Sequence, residues 1–311
     1  MTKILIIIVN YNETGTIFDC LKTLIDFNPG IRGYDLKILV VDNGSTDGSV
    51  ENLKSQISNL KTKSQSSKLK ELKVIRNKKN LGFAGGVNVG IREVLENGAD
   101  YIFLLNPDGA VTEDTINKLI EIAHGDKRIG IVGPLILDQH KNVWSAGGII
   151  DKKRYTAGHT FKVNGQKEAD FVSGCAMLIK GEVFQEIGLF DERFFLYFED
   201  ADFCLRAKKA GFKVIFTPEV VVYHHAGKKN IRLKEYYMAR NHLLFLEKHG
   251  PLMVKVREII RLPKTIFEHL KGGQRYAFLG ILDFFLRRQG QVHLQGVSPS
   301  LTWGPSTSEV K

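Results

Sequence analysis

Residues Ile4–Val9 form an unbroken run of aliphatic, mostly β-branched side chains that stops abruptly at Asn10-Tyr11-Asn12. A strand with no polar alternation must be covered on both faces, which points to a parallel strand inside an α/β sheet. The next hundred residues keep to this pattern. Thr16–Phe27 has helical apolar spacing and ends at Pro29-Gly30, Leu36–Val41 is a second apolar strand ending at Asp42, and the Asp47-Gly48 turn opens another helix. Val74–Ile75, Val87–Leu95, Tyr101–Leu105 and Ile116–Ala123 continue the alternation. This βαβ rhythm predicts a doubly wound α/β sheet, in which ligands sit beyond the carboxyl ends of the strands. Three polar motifs lie at such ends: Asn10-Tyr11-Asn12, Asp42-Asn43-Gly44-Ser45 and Asn106-Pro107-Asp108.

The second half reads differently. Val143–Val163 suggests short antiparallel strands with Gly turns, Phe171–Ile179 a strand, and Asp200–Ala210 a helix capped by Gly211. Val214–Phe216 and Val220–Tyr223 read as two short strands, the second ending at His224-His225. Arg232–His249 is helical, and Val254–Leu270 and Ala277–Arg287 are amphipathic helices. Between Leu53 and Leu72 the Lys/Ser-rich segment Lys61–Lys68 reads as a solvated insertion, and 290–311 as a disordered tail. With 311 residues, 43% hydrophobic and 25% charged, the chain is ample for a packed core and is neither disordered nor fibrous. No apolar run approaches the roughly 18 residues that span a bilayer, and the N-terminus lacks a signal-peptide pattern. Cys20, Cys175 and Cys204 give neither a disulfide framework nor a zinc site, so the reducing cytosol is the expected compartment.

The net charge of +10 is unevenly placed. Residues 1–227 hold 29 Lys/Arg against 28 Asp/Glu, whereas 228–288 hold 14 against 5. No nucleic-acid module accompanies this basic stretch, so no nucleic-acid partner is expected. Its apolar helices suggest instead an interfacial seat on an anionic membrane surface, on the cytosolic face, although packing against the catalytic domain is the plainer alternative. The expected division is a domain over 1–227 (nucleotide-binding half about 1–110, acceptor half about 111–227) and a basic helical extension over 228–289.

Any single acid at a strand end is explained by a turn or a cap. The run Glu199-Asp200-Ala201-Asp202 is harder to explain that way, because a helix start needs one cap, and three carboxylates beside Phe194–Phe198 repel one another. Asp108 is well placed for a hard divalent ion, and His224 or His225 could add a ligand. Asn80–Asn88 is glycine-rich and precedes a helix, but it lacks both the P-loop and the dinucleotide spacing, so its glycines serve close backbone approach.

Taken together, Val9–Asn12, Val41–Gly48, Asn80–Asn88, Leu105–Asp108, Ser173–Met177 and Phe198–Arg206 resemble family 2 glycosyltransferases of the GT-A fold, within the bacterial rhamnosyltransferase-like group. The resemblance runs from about Lys3 to His249. It implies an inverting, metal-dependent transfer of rhamnose or another hexose from a nucleotide-diphosphate donor, dTDP- or UDP-linked, to a polysaccharide or lipid-linked glycan. Asn10, Tyr11, Asn12, Asp42, Asn43, Gly82, Phe83 and Asn88 would bind the nucleotide. Asp108 and His224 would hold Mg²⁺ or Mn²⁺, with Asn106 standing where the family more often has a first carboxylate. Asp200 would be the general base, flanked by Glu199 and Asp202. A homodimer stays open. The competing expectations are a sugar nucleotidyltransferase, which would leave the Glu199–Asp202 cluster without a base role, and a degenerate sugar-nucleotide-binding scaffold.

Overall fold

The computed structural model describes residues 1–26, 34–53, 55, 71–95, 98–225 and 230–292. The Lys61–Lys68 insertion, Gly227 and the tail beyond residue 292 lie outside these. Four parallel strands carry the first half: β1 (Thr2–Asn10), β2 (Tyr34–Asp42), β3 (Glu71–Arg76) and β4 (Tyr101–Leu105), ordered β3-β2-β1-β4. Beyond them come β5 (Gly109–Val111), β6 (Ile129–Asp138), β7 (Val143–Ser145), the hairpin of β8 (Gly148–Asp151) and β9 (Thr156–His159), β10 (Lys167–Glu168), β11 (Ala176–Lys180) and β12 (Lys213–His224). The main sheet runs β10-β12-β6-β11-β4-β1-β2-β3, with β11 antiparallel to β4 and β6. It is therefore a mixed sheet, parallel over β3-β2-β1-β4 and antiparallel where β11 joins.

Side chains of β1 alternate between two cores, Leu5, Ile7 and Val9 on one face and Ile4, Ile6 and Ile8 on the other. The second face is covered by α1 (Thr16–Asp26) and α3 (Thr115–Gly125). The first is covered by α2 (Gly82–Leu95), α4 (Gly181–Ile187), α5 (Glu199–Lys209) and α6 (Ile231–His249). Burying a β-branched side chain such as Ile7 contributes about 1.5–3 kcal/mol, so the continuous apolar run is the main stabiliser of this layer.

Three elements differ from their sequence expectation. Helix α2 begins at Gly82 rather than Val87, because glycines that weaken a free helix here let it lie flush on β1. A Cβ on Gly86 would fall 2.6 Å from Val9 Cγ1, and one on Gly90 2.9 Å from Ile7 Cγ2. Strand β12 is one element of 12 residues, with a register shift between Thr217 and Val221 that accommodates Pro218. Strand β11 starts at Ala176, since Ser173 and Gly174 turn toward α5 and Phe171 makes only an isolated bridge to Gly148.

The charge boundary at 227/228 is not a packing boundary. Leu233, Tyr236, Tyr237 and Phe245 of α6 belong to the same core as α2 and α5. Helix α8 (Arg275–Phe285) docks on α6 so closely that a Cβ on Gly280 would meet Tyr236 O at 2.2 Å, and Tyr236 Oη donates to Asp283 at 2.7 Å. Helix α7 (Leu252–Lys271) is the loosest of the three; Glu258 is its one buried residue. Helices α5 and α6 are joined by the fully buried Asp202, which accepts from Arg206 Nε at 2.9 Å, Lys248 Nζ at 2.6 Å and His249 Nε2 at 2.7 Å. Burial alone would raise the Asp202 carboxyl, but these three partners hold it below the usual aspartate range.

Gly90→Val should lower stability by about 1–3 kcal/mol through overpacking against Ile7, read from the denaturant midpoint. Asp202→Asn leaves the Arg206 and Lys248 cations facing a neutral amide and should cost on the order of 3 kcal/mol; a midpoint equal to that of the wild type would refute the tie.

Candidate active site

Parallel in-register pairing places Asn10 beside Asp42 at the ends of β1 and β2. Asn10 Nδ2 donates to Asp42 Oδ1 at 3.2 Å and Ser49 Oγ at 3.1 Å, and Asp42 Oδ2 accepts from Ser45 N at 3.1 Å. Asn12, at φ 54°, accepts from Thr46 N at 2.8 Å, locking the first loop onto the second. Tyr11 is buried in the α2-side core. Asn43 Nδ2 donates to Gly82 O at 2.7 Å and Asn80 Oδ1 at 3.1 Å, which staples the end of β2 to the start of α2. Asn88 lies farther along α2 and spends its amide on Phe190 O and Glu192 Oε1, both at 2.9 Å.

A second cluster is built by β5 and β12, whose antiparallel register sets Gly109 against His224. Asp108 and His224 are both buried, with His224 Nε2 3.2 Å from Asp108 Oδ1. Among the described residues neither atom has a hydrogen-bond partner, and Asn106 Oδ1 is also unpartnered. Burial opposes a charged His224 imidazole, but Cys175 and the Asp108 carboxylate outweigh it and push its pKa up to about 10. Buried oxygen and nitrogen atoms without partners fit a divalent ion, which would take the place of the ring proton on His224 and supply the missing contacts. No group of three or more His, Cys, Asp or Glu that could hold a metal exists among the described residues.

A cleft opens beside these clusters, lined by Asn106, Trp144, His159, Gly174, Glu199 and Asp200 among others. Trp144 links cleft and Asp108 cluster, its ring 4.6 Å from that of His224. Glu199 and Asp200 form the first turn of α5, where the helix dipole favours negative charge. Asp200 is half-buried and accepts from Gly174 N at 3.2 Å and Ala201 N at 2.8 Å. Burial raises its pKa to about 6 against the lowering effect of those two N–H groups. Glu199 is buried, its Oε2 has no partner among the described residues, and burial plus the Asp200 charge push its carboxyl well up. Asp202, farther along the same turn, faces α6 instead and is not part of the cleft lining.

The turn before α5 is strained. Phe195, Tyr197 and Phe198 have φ of 60°, 69° and 72°, each costing about 1–3 kcal/mol for a bulky residue. Leu196 N donates to Phe194 O at 2.6 Å, closing a γ-turn of the rare hand. Phe83 N, at the start of α2, donates to Phe195 O at 2.7 Å. Gly82, at φ 75°, must lack a Cβ there, since one would fall 2.3 Å from that oxygen.

Several residues in or near the site carry no local sequence signal. Trp144 and His159 reach the cleft from the β7–β9 region, and burial lowers the His159 pKa to about 4, keeping it neutral. Glu13 comes directly after the first motif; burial and the nearby Asp108 charge raise its pKa to about 7. Glutamate next to Asn10-Tyr11-Asn12 was the available signal.

Comparison with known proteins agrees with this geometry. The Glycosyl transferase family 2 profile matches residues 5–188, and that of Glycosyl transferase family group 2 matches 101–302. The chain is similar to the dTDP-rhamnosyl transferase RfbF of Shigella flexneri, 27% identical over 277 residues, covering 83% of this chain and 85% of that protein. It is also similar to the N-acetylglucosaminyl-diphospho-decaprenol L-rhamnosyltransferase of Mycobacterium tuberculosis, 25% identical over 233 residues, covering 67% and 72%. Among solved structures, the mannosyltransferase PcManGT of Pyrobaculum calidifontis, in complex with GDP-Man and Mn²⁺, superposes with a TM-score of 0.58 at 14% identity, covering 92% and 88% of the two chains. With strand-end clusters, an acid-lined cleft and a family profile over more than half its length, the chain belongs to glycosyl transferase family 2 and has the GT-A fold.

Proposed function

We propose that this glycosyltransferase works by inversion, moving rhamnose or a related hexose from a nucleotide-diphosphate donor to a polysaccharide or lipid-linked glycan. The observation that carries this reading is Asp200, held at the cleft by Gly174 N–H with a pKa raised to about 6. An acceptor hydroxyl is a weak nucleophile until a base takes its proton in the transition state. Asp200 takes that proton while the acceptor oxygen bonds to the anomeric carbon, and the bond from that carbon to the diphosphate oxygen breaks with its electron pair. Glu199, its carboxyl pushed well up by burial and by the Asp200 charge, leaves Asp200 as the charged carboxylate of the pair. Asn10, Tyr11, Asn12, Asp42, Asn43, Gly82 and Phe83 frame the nucleotide side, and similarity to a dTDP-rhamnosyl transferase favours a dTDP donor. Asn88 and Asp202 serve as internal ties. Asp108 and His224 would hold Mg²⁺ or Mn²⁺, which when bound neutralises charge on the departing diphosphate.

The same proposal places the enzyme against an anionic membrane surface. No helix among the described residues is long and apolar enough to cross a membrane. Helix α7 exposes Met253, Ile260 and Phe267 at 79%, 75% and 65%, and Ile259 beside them. Between and around these lie Arg257, Arg261, Lys264 and Lys271. Apolar side chains flanked by cations suit the boundary of an anionic leaflet, where each Lys or Arg adds about 1 kcal/mol. Glu258, on the buried face of α7, meets Arg154 at 3.4 Å, on the hairpin whose β9 strand lines the cleft.

Asp200→Asn should lower turnover by about two to four orders of magnitude with donor binding retained. In the wild type, kcat/KM should fall tenfold per pH unit below about pH 6, because the protonated base cannot accept the acceptor proton. An Asp200→Asn enzyme that keeps more than about a tenth of wild-type turnover would place the base elsewhere. For the membrane seat, co-sedimentation with anionic vesicles should exceed that with neutral vesicles at low salt and be lost in high salt or on reversing Arg261, Lys264 and Lys271. Equal, negligible pelleting with both would sink it.

A further inference from the structure

The strained turn between Phe194 and Phe198 precedes the proposed base, and its backbone oxygens are held from a distant helix. Asn241 of α6 directs one amide group at three of them: Nδ2 lies 2.7 Å from Phe194 O, 2.7 Å from Leu196 O and 2.9 Å from Tyr197 O. Two hydrogens are thus shared among three carbonyls. The amide cannot turn over, because Oδ1 accepts from Arg240 Nε at 2.9 Å. Arg240 Nη2 adds bonds to Arg193 O at 3.0 Å and Phe194 O at 2.9 Å, and its guanidinium stacks 4.8 Å from the centre of the Tyr237 ring. Both residues are at most 3% exposed. Bulky residues at positive φ persist only where their surroundings over-determine them. Here three donors converge on Phe194 O, counting Leu196 N, while the far side of the turn is fixed by Phe83 N.

We infer that Asn241, seconded by Arg240, is a positioning residue that holds this turn in its left-handed form and so sets where the first turn of α5 presents Asp200 to the acceptor hydroxyl. The inference rests on the reading of Asp200 as base. The turn ends at Phe198, which also begins α5, so a shift of its carbonyls moves the Asp200 main chain directly. A purely structural tie would change stability and leave the chemistry of the folded enzyme alone. A positioning tie changes kcat and the protonation of the base.

The experiment compares wild type, Asn241→Asp, Asn241→Ala and Asp200→Asn, each checked for folding by thermal melting, with kcat, donor KM and the acid limb of kcat/KM measured for each. Asn241→Asp preserves shape but turns a donor into an acceptor facing three carbonyls. It should lower kcat by about 100-fold, the scale expected of a misplacement near 1 Å, with donor KM unchanged and the acid limb moved below that of the wild type as water reaches Asp200. If neither Asn241 variant folds, Arg240→Lys decides: it keeps the charge but loses the planar fork, and should reduce kcat by about tenfold. A folded Asn241 or Arg240 variant with wild-type kcat and an unmoved acid limb, beside an inactive Asp200→Asn, overturns the positioning role alone. Full turnover in Asp200→Asn overturns the base reading and this inference with it.

Discussion

The parallel register of β1 between β2 and β4 is the constraint on which the rest of the molecule depends. Residue-for-residue pairing of Ile4–Ile8 with both neighbours ends the strands together, so Asn10, Asp42 and Asn106 emerge at one edge of the sheet. The apolar run that enforces this register has no polar atom to trade for water, and a slip of one residue would exchange its two buried faces. Local polarity at the edge is therefore a by-product of hydrophobic burial below it. The same logic operates on the second half, where β5 pairs antiparallel with β12 and brings Asp108 against His224.

Electrostatics then divides what the sequence places together. Glu199, Asp200 and Asp202 occupy one helical turn, yet they face three environments. Glu199 is buried with no partner for its Oε2 among the described residues, Asp200 borders the cleft with two backbone donors, and Asp202 is enclosed by Arg206, Lys248 and His249. Burial raises the first two carboxyls, while salt bridging lowers the third. Carboxyls pushed apart in this way take different tasks, one chemical and one architectural. Asp202 thereby secures the helix whose first turn carries Asp200.

How much of this was legible in the sequence depended on the range of each signal. The parallel half was legible because strand and helix periods are local, and Ile4–Val9 or Thr16–Asp26 declare themselves within a dozen residues. Strand-end motifs were legible for the same reason. The early start of α2 was not, since glycine's low helix propensity masks a helix stabilised by contact with Val9 and Ile7. Nor was the fate of Asp202: Lys248 and His249 are more than forty positions away, and nothing near Asp202 announces them. Charge counting separated α6 from the catalytic domain, although its Tyr236, Tyr237 and Phe245 are core residues. Net charge reports solvation of a surface, whereas membership of a core is decided by the opposite face of the same helix.

The bonds that restrain the turn before α5 all end on main-chain oxygens: those from Phe83 N, Arg240 and Asn241 reach carbonyl groups of residues 193–197. Geometry there is thus set through peptide groups in addition to the buried side chains of Phe194, Phe195 and Leu196. Tyr197, the partly buried member of the turn, lines the cleft and can be exchanged for other L-residues that tolerate the left-handed backbone without releasing the clamp, whereas Phe198 is fixed in the core beside Phe245. A scaffold that grips peptide groups leaves a side chain on the cleft wall such as Tyr197 as a free variable, so the wall can be rewritten while the first turn of α5 keeps its station.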